Sequence, residues 1–193
     1  MLKRLYLWTL EKAAHPLAER WLALIAFLES SVFPIPPDVM LAPMCLARPA
    51  RAFRLALIAT FASVVGAAAG WLIGAGFFDA IGRPVLALYG AEAAFADLAL
   101  EFNERGLWIV LAAGFTPIPF KLITIASGAT GMSLPVMLTA SVVARGARFF
   151  LLATLLKLFG EPMKAFLDRH FGLVTIAVAV VGLLGFFAVR FLF

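Results

Sequence analysis

The chain has 193 residues, 64% of them hydrophobic and 14% charged, with a mean hydropathy of +1.03. This excludes an ordinary soluble domain, which is about 45–50% apolar, and predicts one integral membrane domain without a soluble module or linker. The net charge of +5 lies beside apolar segments, where anionic lipid head groups rather than nucleic acid are the partner. Cys45 stands alone and His15 and His170 are far apart, so neither a disulfide, a metal site nor a cofactor is expected.

Residues 1–19 mix charges with apolar positions 2, 5, 6, 7, 8 and 10, which predicts an amphipathic surface helix rather than a signal peptide. Residues 21–47 are apolar but carry Glu29, Asp38 and prolines at 34, 36, 37 and 43. One straight lipid-facing helix would leave backbone groups unsatisfied there, so a re-entrant hairpin turning at Pro34, Pro36 and Pro37 is expected. Residues 53–78 form a transmembrane helix whose Gly66, Gly70 and Gly74 offer a face for close helix approach.

An amphipathic helix over 85–104 is expected on the outer surface, where it could also cover a site. The segment 107–131 breaks at Pro117 and Pro119 and reads as a second re-entrant hairpin. A span over 134–156 follows, with Ser133 as cap and Pro135 in its first turn. A last span covers 171–190. Trp8, Trp21, Trp71 and Trp108 fit interface belts.

Charge supports this order. Residues 1–20 and 48–54 carry seven basic and two acidic side chains, 79–105 two and five, and 157–170 three and two. The positive-inside rule puts the N-terminus in the cytoplasm and 79–105 outside, which requires each proline segment to return to the side it left. The expected fold is all-α and polytopic: two inverted repeats, each a proline-broken hairpin plus a transmembrane helix, with an extra C-terminal span. Such repeats meet at a midplane substrate site in transporters.

Arg145 falls midway along 134–156 and Arg148 follows one turn later. A mid-membrane arginine costs about 2.5–3.5 kcal/mol and by default marks function; the alternative is a structural ion pair with Glu29 or Asp38. With Lys121, three cations would face two carboxylates, a positive pocket suited to phosphate. Glu29 and Asp38 could exchange protons during transport, or act as caps and salt-bridge partners. Thr116, Thr124 and Ser127 could bind head-group oxygens or satisfy freed backbone.

The stretches "ESSVFPIPPD", "GAAAGWLIG", "FTPIPFKLITIASGATGM" and "ARGARF", in this order over roughly residues 20 to 160, resemble the DedA superfamily, also called the VTT or SNARE-associated family, and in particular its small YqaA-type bacterial branch. The resemblance implies a bacterial inner-membrane protein with opposed re-entrant hairpins that moves lipid across the membrane: a flippase or scramblase for undecaprenyl phosphate or a phospholipid, coupled to ion gradients. It also implies roles for Glu29, Asp38, Arg145 and Arg148. Gly114 departs from the family, many of whose members have arginine there; Lys121 could supply that charge, with looser phosphate recognition.

The expected substrate-binding set is therefore Arg145, Arg148, Lys121 and Thr116, with Glu29 and Asp38 coupling protons and an anionic lipid phosphate as partner. A proton-coupled transporter of a small ion or solute, or a membrane scaffold, are the alternatives. An enzyme is not expected, because no paired aspartates or histidine stand beside the buried arginines. The sequence leaves the lipid, the transport direction, the coupling ion and any homo-oligomer open.

Overall fold

A computed structural model of the chain describes residues 17–32, 36–115, 119–160 and 162. The surface helix expected over 1–19 falls outside these residues but for its last three positions, and the span 171–190, Pro34, Thr116 and Pro117 lie wholly outside them. All regular structure among the described residues is helical.

Helix α1 spans Ala18–Ser31 and buries Ala18, Leu22, Ala26 and Glu29, one face of a helical repeat. It closes with the Val32 amide on the Leu28 carbonyl at 2.8 Å, just ahead of the proline cluster that cannot continue a helix. Helix α2 spans Asp38–Ala47. The Pro37 carbonyl accepts its first amides, Met40 at 3.0 Å and Leu41 at 2.8 Å. It ends at Arg48, extended at ψ 69° because the next residue, Pro49, disfavours the helical conformation before it.

Helix α3 runs from Pro49 to Tyr89, 41 residues. It opens with a 3-10 turn over Pro49–Arg51 and loosens into a π-helical turn over Phe78–Gly82. The expected span 53–78 is thus only part of it. At about 1.5 Å per residue it is about 60 Å long, twice a hydrocarbon core of about 30 Å. Its far end carries the exposed Asp79–Arg83 pair, 2.7 Å apart.

The structure divides the surface helix expected over 85–104. Gly90, at φ +61°, ends α3, with the Ala91 amide reaching back to the Leu86 carbonyl at 2.9 Å. Helix α4 then runs unbroken over Glu92–Phe115, joining most of the expected surface helix to the arm that precedes the second proline break. Nothing between 92 and 115 stops a helix: Gly106 and Gly114 each cost about 1 kcal/mol, and the Met132 thioether lies against the bare face of Gly106. Phe78 and Phe95 stack at 4.5 Å across the Gly90 turn.

Helix α5 spans Phe120–Ala129, directly after Pro119. Gly131, at φ +74°, terminates it, with the Met132 amide on the Ser127 carbonyl at 2.9 Å. Helix α6 spans Leu134–Gly160. The Ser133 carbonyl accepts the Met137 amide at 3.0 Å, and Pro135 sits in the first turn as the sequence indicates.

Small residues let these helices meet. A Cβ on Gly66 would overlap the Phe27 backbone of α1, one on Gly70 the Thr124 hydroxyl of α5, and one on Gly74 the Ile125 carbonyl. Gly128 of α5 in turn lies against the Trp71 carbonyl. The glycine stripe on α3 is therefore a packing face for both α1 and α5. Trp71 is no free interface residue, since its indole donates to the Met132 carbonyl at 2.8 Å.

Two apolar clusters result. One joins α1 and α2 to the start of α3 and the end of α6, through Leu22, Leu41, Leu55 and Phe149. The other joins α4 and α5 to the later part of α3 and the start of α6, through Val110, Phe120, Ala67 and Met137. Among the described residues the buried charges are Glu29 and Arg145, and Arg145 stands between Phe149 of one cluster and Phe120 of the other.

Gly74→Leu is expected to destabilise the purified protein in detergent by at least about 1–3 kcal/mol through overpacking. Gly76→Leu, where nothing lies within 4 Å, should leave the unfolding midpoint near wild type. Equal effects in thermal unfolding would refute the packing face.

Candidate functional site

Four helices converge on Arg145. Its side chain, on α6, is 3% exposed and forms an ion pair with Glu29, itself 10% exposed and in the last turn of α1. The Arg145 Nε donates to the Ser63 hydroxyl of α3 at 2.9 Å, and Ser63 and Ser30 hydroxyls lie 2.6 Å apart. Ser30 donates to Glu29 Oε2 at 3.2 Å. With the single Ser30 proton given to Glu29, the bond between the hydroxyls is donated by Ser63, and the hydroxyls form a one-way chain from guanidinium to carboxylate. The guanidinium carbon also stands 4.9 Å from the Phe120 ring centre and 4.8 Å from that of Phe149, within cation–π range.

The other Glu29 oxygen accepts the Phe120 amide at 3.3 Å. That amide opens α5 and has no partner within its own helix, so Glu29 caps one broken helix from the end of another. Lys121 returns the favour: its Nζ donates to the Val32 carbonyl at the C-terminal end of α1, at 2.9 Å. A carboxylate at a helix N-terminus and an ammonium at a C-terminus both suit the helix dipoles. The Thr124 hydroxyl adds a bond to the Ser30 carbonyl at 2.9 Å. Three bonds thus lock the last turn of α1 to the first turn of α5.

A second ion pair, Arg148 with Asp38 of α2, lies beside the first and is more open, at 30% and 25% exposure. Asp38 Oδ1 is buried and has no hydrogen-bond partner among the described residues.

The structure brings Glu29, Arg145, Asp38 and Arg148 together and places Lys121 at their edge. Arg145 pairs with Glu29 and Arg148 with Asp38, and the Lys121 ammonium donates to the Val32 carbonyl. Thr116 lies outside the described residues, as do Pro34 and Pro117; Pro37 is buried and Pro36 and Pro119 are exposed at the breaks. Thr124 and Ser127 spend their hydroxyls on backbone carbonyls. Gly114 abuts the Ala144 side chain, which leaves no room for a longer residue there.

Ser30, Ser63, Phe120 and Phe149 were not singled out from sequence. Ser63 carried a signal, because it extends the stripe of Gly66, Gly70 and Gly74 by one turn and is polar in a largely apolar span.

The VTT domain matches residues 34–158, a stretch that holds Asp38, Ser63, Lys121, Arg145 and Arg148. An uncharacterized protein of Haemophilus influenzae is 34% identical over 182 residues, 94% of each chain. An uncharacterized protein of Histophilus somni is 35% identical over 187 residues, 96% of this chain and 97% of its own. No solved structure matches.

Thr124→Val keeps the shape of the side chain but removes the bond to Ser30, and is expected to cost about 0.5–1.5 kcal/mol. Thr139→Val, exposed and bonded only within α6, serves as control. Indistinguishable unfolding of the two variants in detergent would show that the α1–α5 lock contributes nothing.

Proposed function

The chain belongs to the VTT domain (DedA) family of membrane proteins, and on that premise we propose that it is a lipid flippase or scramblase for an anionic lipid phosphate, driven by protons. Arg145 carries the proposal: a guanidinium near the middle of a 27-residue apolar helix, buried and held by groups from three other helices. Membranes retain such a residue mainly where it faces a pathway or a binding site.

In this reading the head-group phosphate is bound by Arg145, Arg148, Lys121 and Thr116. Glu29 and Asp38 are the proton carriers. Asp38 Oδ1 is buried without a hydrogen-bond donor among the described residues. The two apolar clusters support a two-repeat arrangement in which α1–α2 and α4–α5 are re-entrant hairpins entering from opposite faces of a bacterial inner membrane, with the N-terminus cytoplasmic. Substrate would then pass where the clusters meet. The chemistry needs no nucleophile, so the protein acts as a transporter rather than an enzyme.

A transporter of a small anion is the second reading, favoured by the near-complete burial of Arg145 between two phenyl rings, which suits a compact ligand.

Liposomes containing the protein are expected to move labelled undecaprenyl phosphate or phosphatidylglycerol head groups between leaflets. Arg145→Ala, reconstituted to the same density, should reduce that rate to the protein-free level. Lipid movement unchanged by the substitution would remove Arg145 from the pathway, and none by wild type under a proton gradient would refute lipid transport.

A further inference from the structure

Glu29 sits in surroundings built for an anion. Its carboxylate receives the Arg145 guanidinium, the Ser30 hydroxyl and the first amide of a ten-residue helix. These are the donors that recognise a phosphate or sulfate oxyanion: a buried arginine, a hydroxyl and an N-terminal helix amide. The donors come from α6, α1 and α5, whereas the acceptor is one short side chain at the end of α1. The Ser63–Ser30 chain keeps both hydroxyl protons directed toward the carboxylate.

The electrostatic balance is set by few groups. Arg145 and Arg148 act from α6, Asp38 from α2 and Lys121 from α5, while α3 contributes the neutral Ser63. With Arg148 matched by Asp38 and Lys121 bound to the Val32 carbonyl, the Glu29 carboxylate is the counter-charge of Arg145. If Glu29 becomes neutral, the buried guanidinium loses the carboxylate it pairs with, a destabilised state that an external anion would relieve.

We propose that Glu29 is an internal substitute for the head-group anion: its carboxylate fills the anion site when no ligand is bound, and an oxyanion takes its place when Glu29 is protonated. This rests on reading the site as a head-group site, and it adds the order of events. Proton and anion occupy the site together, so each anion that enters through this site carries a proton with it. The ionised carboxylate keeps the empty site closed against other anions.

Binding to the full-length protein in detergent tests this. The probes are sulfate, as a free oxyanion, and dihexanoyl phosphatidylglycerol, as a lipid phosphodiester, both of fixed charge between about pH 5 and about pH 8. Wild type is expected to bind at least about tenfold more tightly at the lower pH. Glu29→Gln should bind at the higher pH as tightly as wild type does at the lower, with much less pH dependence than wild type, and its melting temperature should rise when the probe is added. Adding Arg145→Gln to that variant should abolish binding.

If wild type binds equally at both pH values and Glu29→Gln binds no tighter, the substitution of carboxylate by anion is refuted while the head-group reading survives. If no protein binds either probe at either pH, the head-group reading falls as well. Binding of sulfate alone would support the exchange with a free oxyanion as ligand, and binding of the lipid alone with a head group. Should Glu29→Gln not fold, the wild-type comparison decides: tighter binding in acid supports the proposal and equal binding overturns it.

Discussion

The Arg145–Glu29 ion pair is the constraint on which the rest of the structure depends. An arginine midway along an apolar helix must be surrounded by protein, since each donor left without a partner away from water costs free energy. None of the partners that meet the need described here comes from its own helix except the Phe149 ring. Glu29 comes from α1, Ser63 from α3 and the Phe120 ring from α5. Satisfying one side chain therefore fixes how four helices stand relative to one another.

The helix breaks make this possible. Had the helix of α1 continued past Ser31, Lys121 would find no carbonyl end there, and had the chain stayed helical into residue 120, Glu29 would have no open amide to cap. Because the prolines end α1 and start α5, a carbonyl end and an amide end are released at the same place. They are satisfied by Lys121 and Glu29. Charges and breakers in an apolar sequence thus answer each other: the breaks expose backbone groups, and the charges neutralise them. The glycine stripe of α3 then lets α1 and α5 approach closely enough for these short bonds to form.

Much of this was legible in the sequence, where a strong local rule operates. The proline clusters mark the breaks, Ser133 and Pro135 mark the start of α6, and the spacing of Gly66, Gly70 and Gly74 marks the packing face. Boundaries set by weaker signals were misplaced. Gly90 ends α3 through its left-handed conformation, whereas Gly106 stays helical within α4. Which arginine pairs with which carboxylate is a tertiary fact, separated by more than a hundred residues, and no local pattern encodes it. The same holds for Lys121, whose charge suggested a ligand but whose reach ends at a helix terminus.

The most direct measurement is a double-mutant cycle between Glu29 and Arg145, with glutamine at each position singly and together, read by unfolding in detergent. If the pair organises the fold, each single change should be strongly destabilising, about 3–5 kcal/mol, and the double change should cost well under the sum, with a coupling of at least about 1.5 kcal/mol. Additive effects, with no coupling between the two positions, would contradict the account.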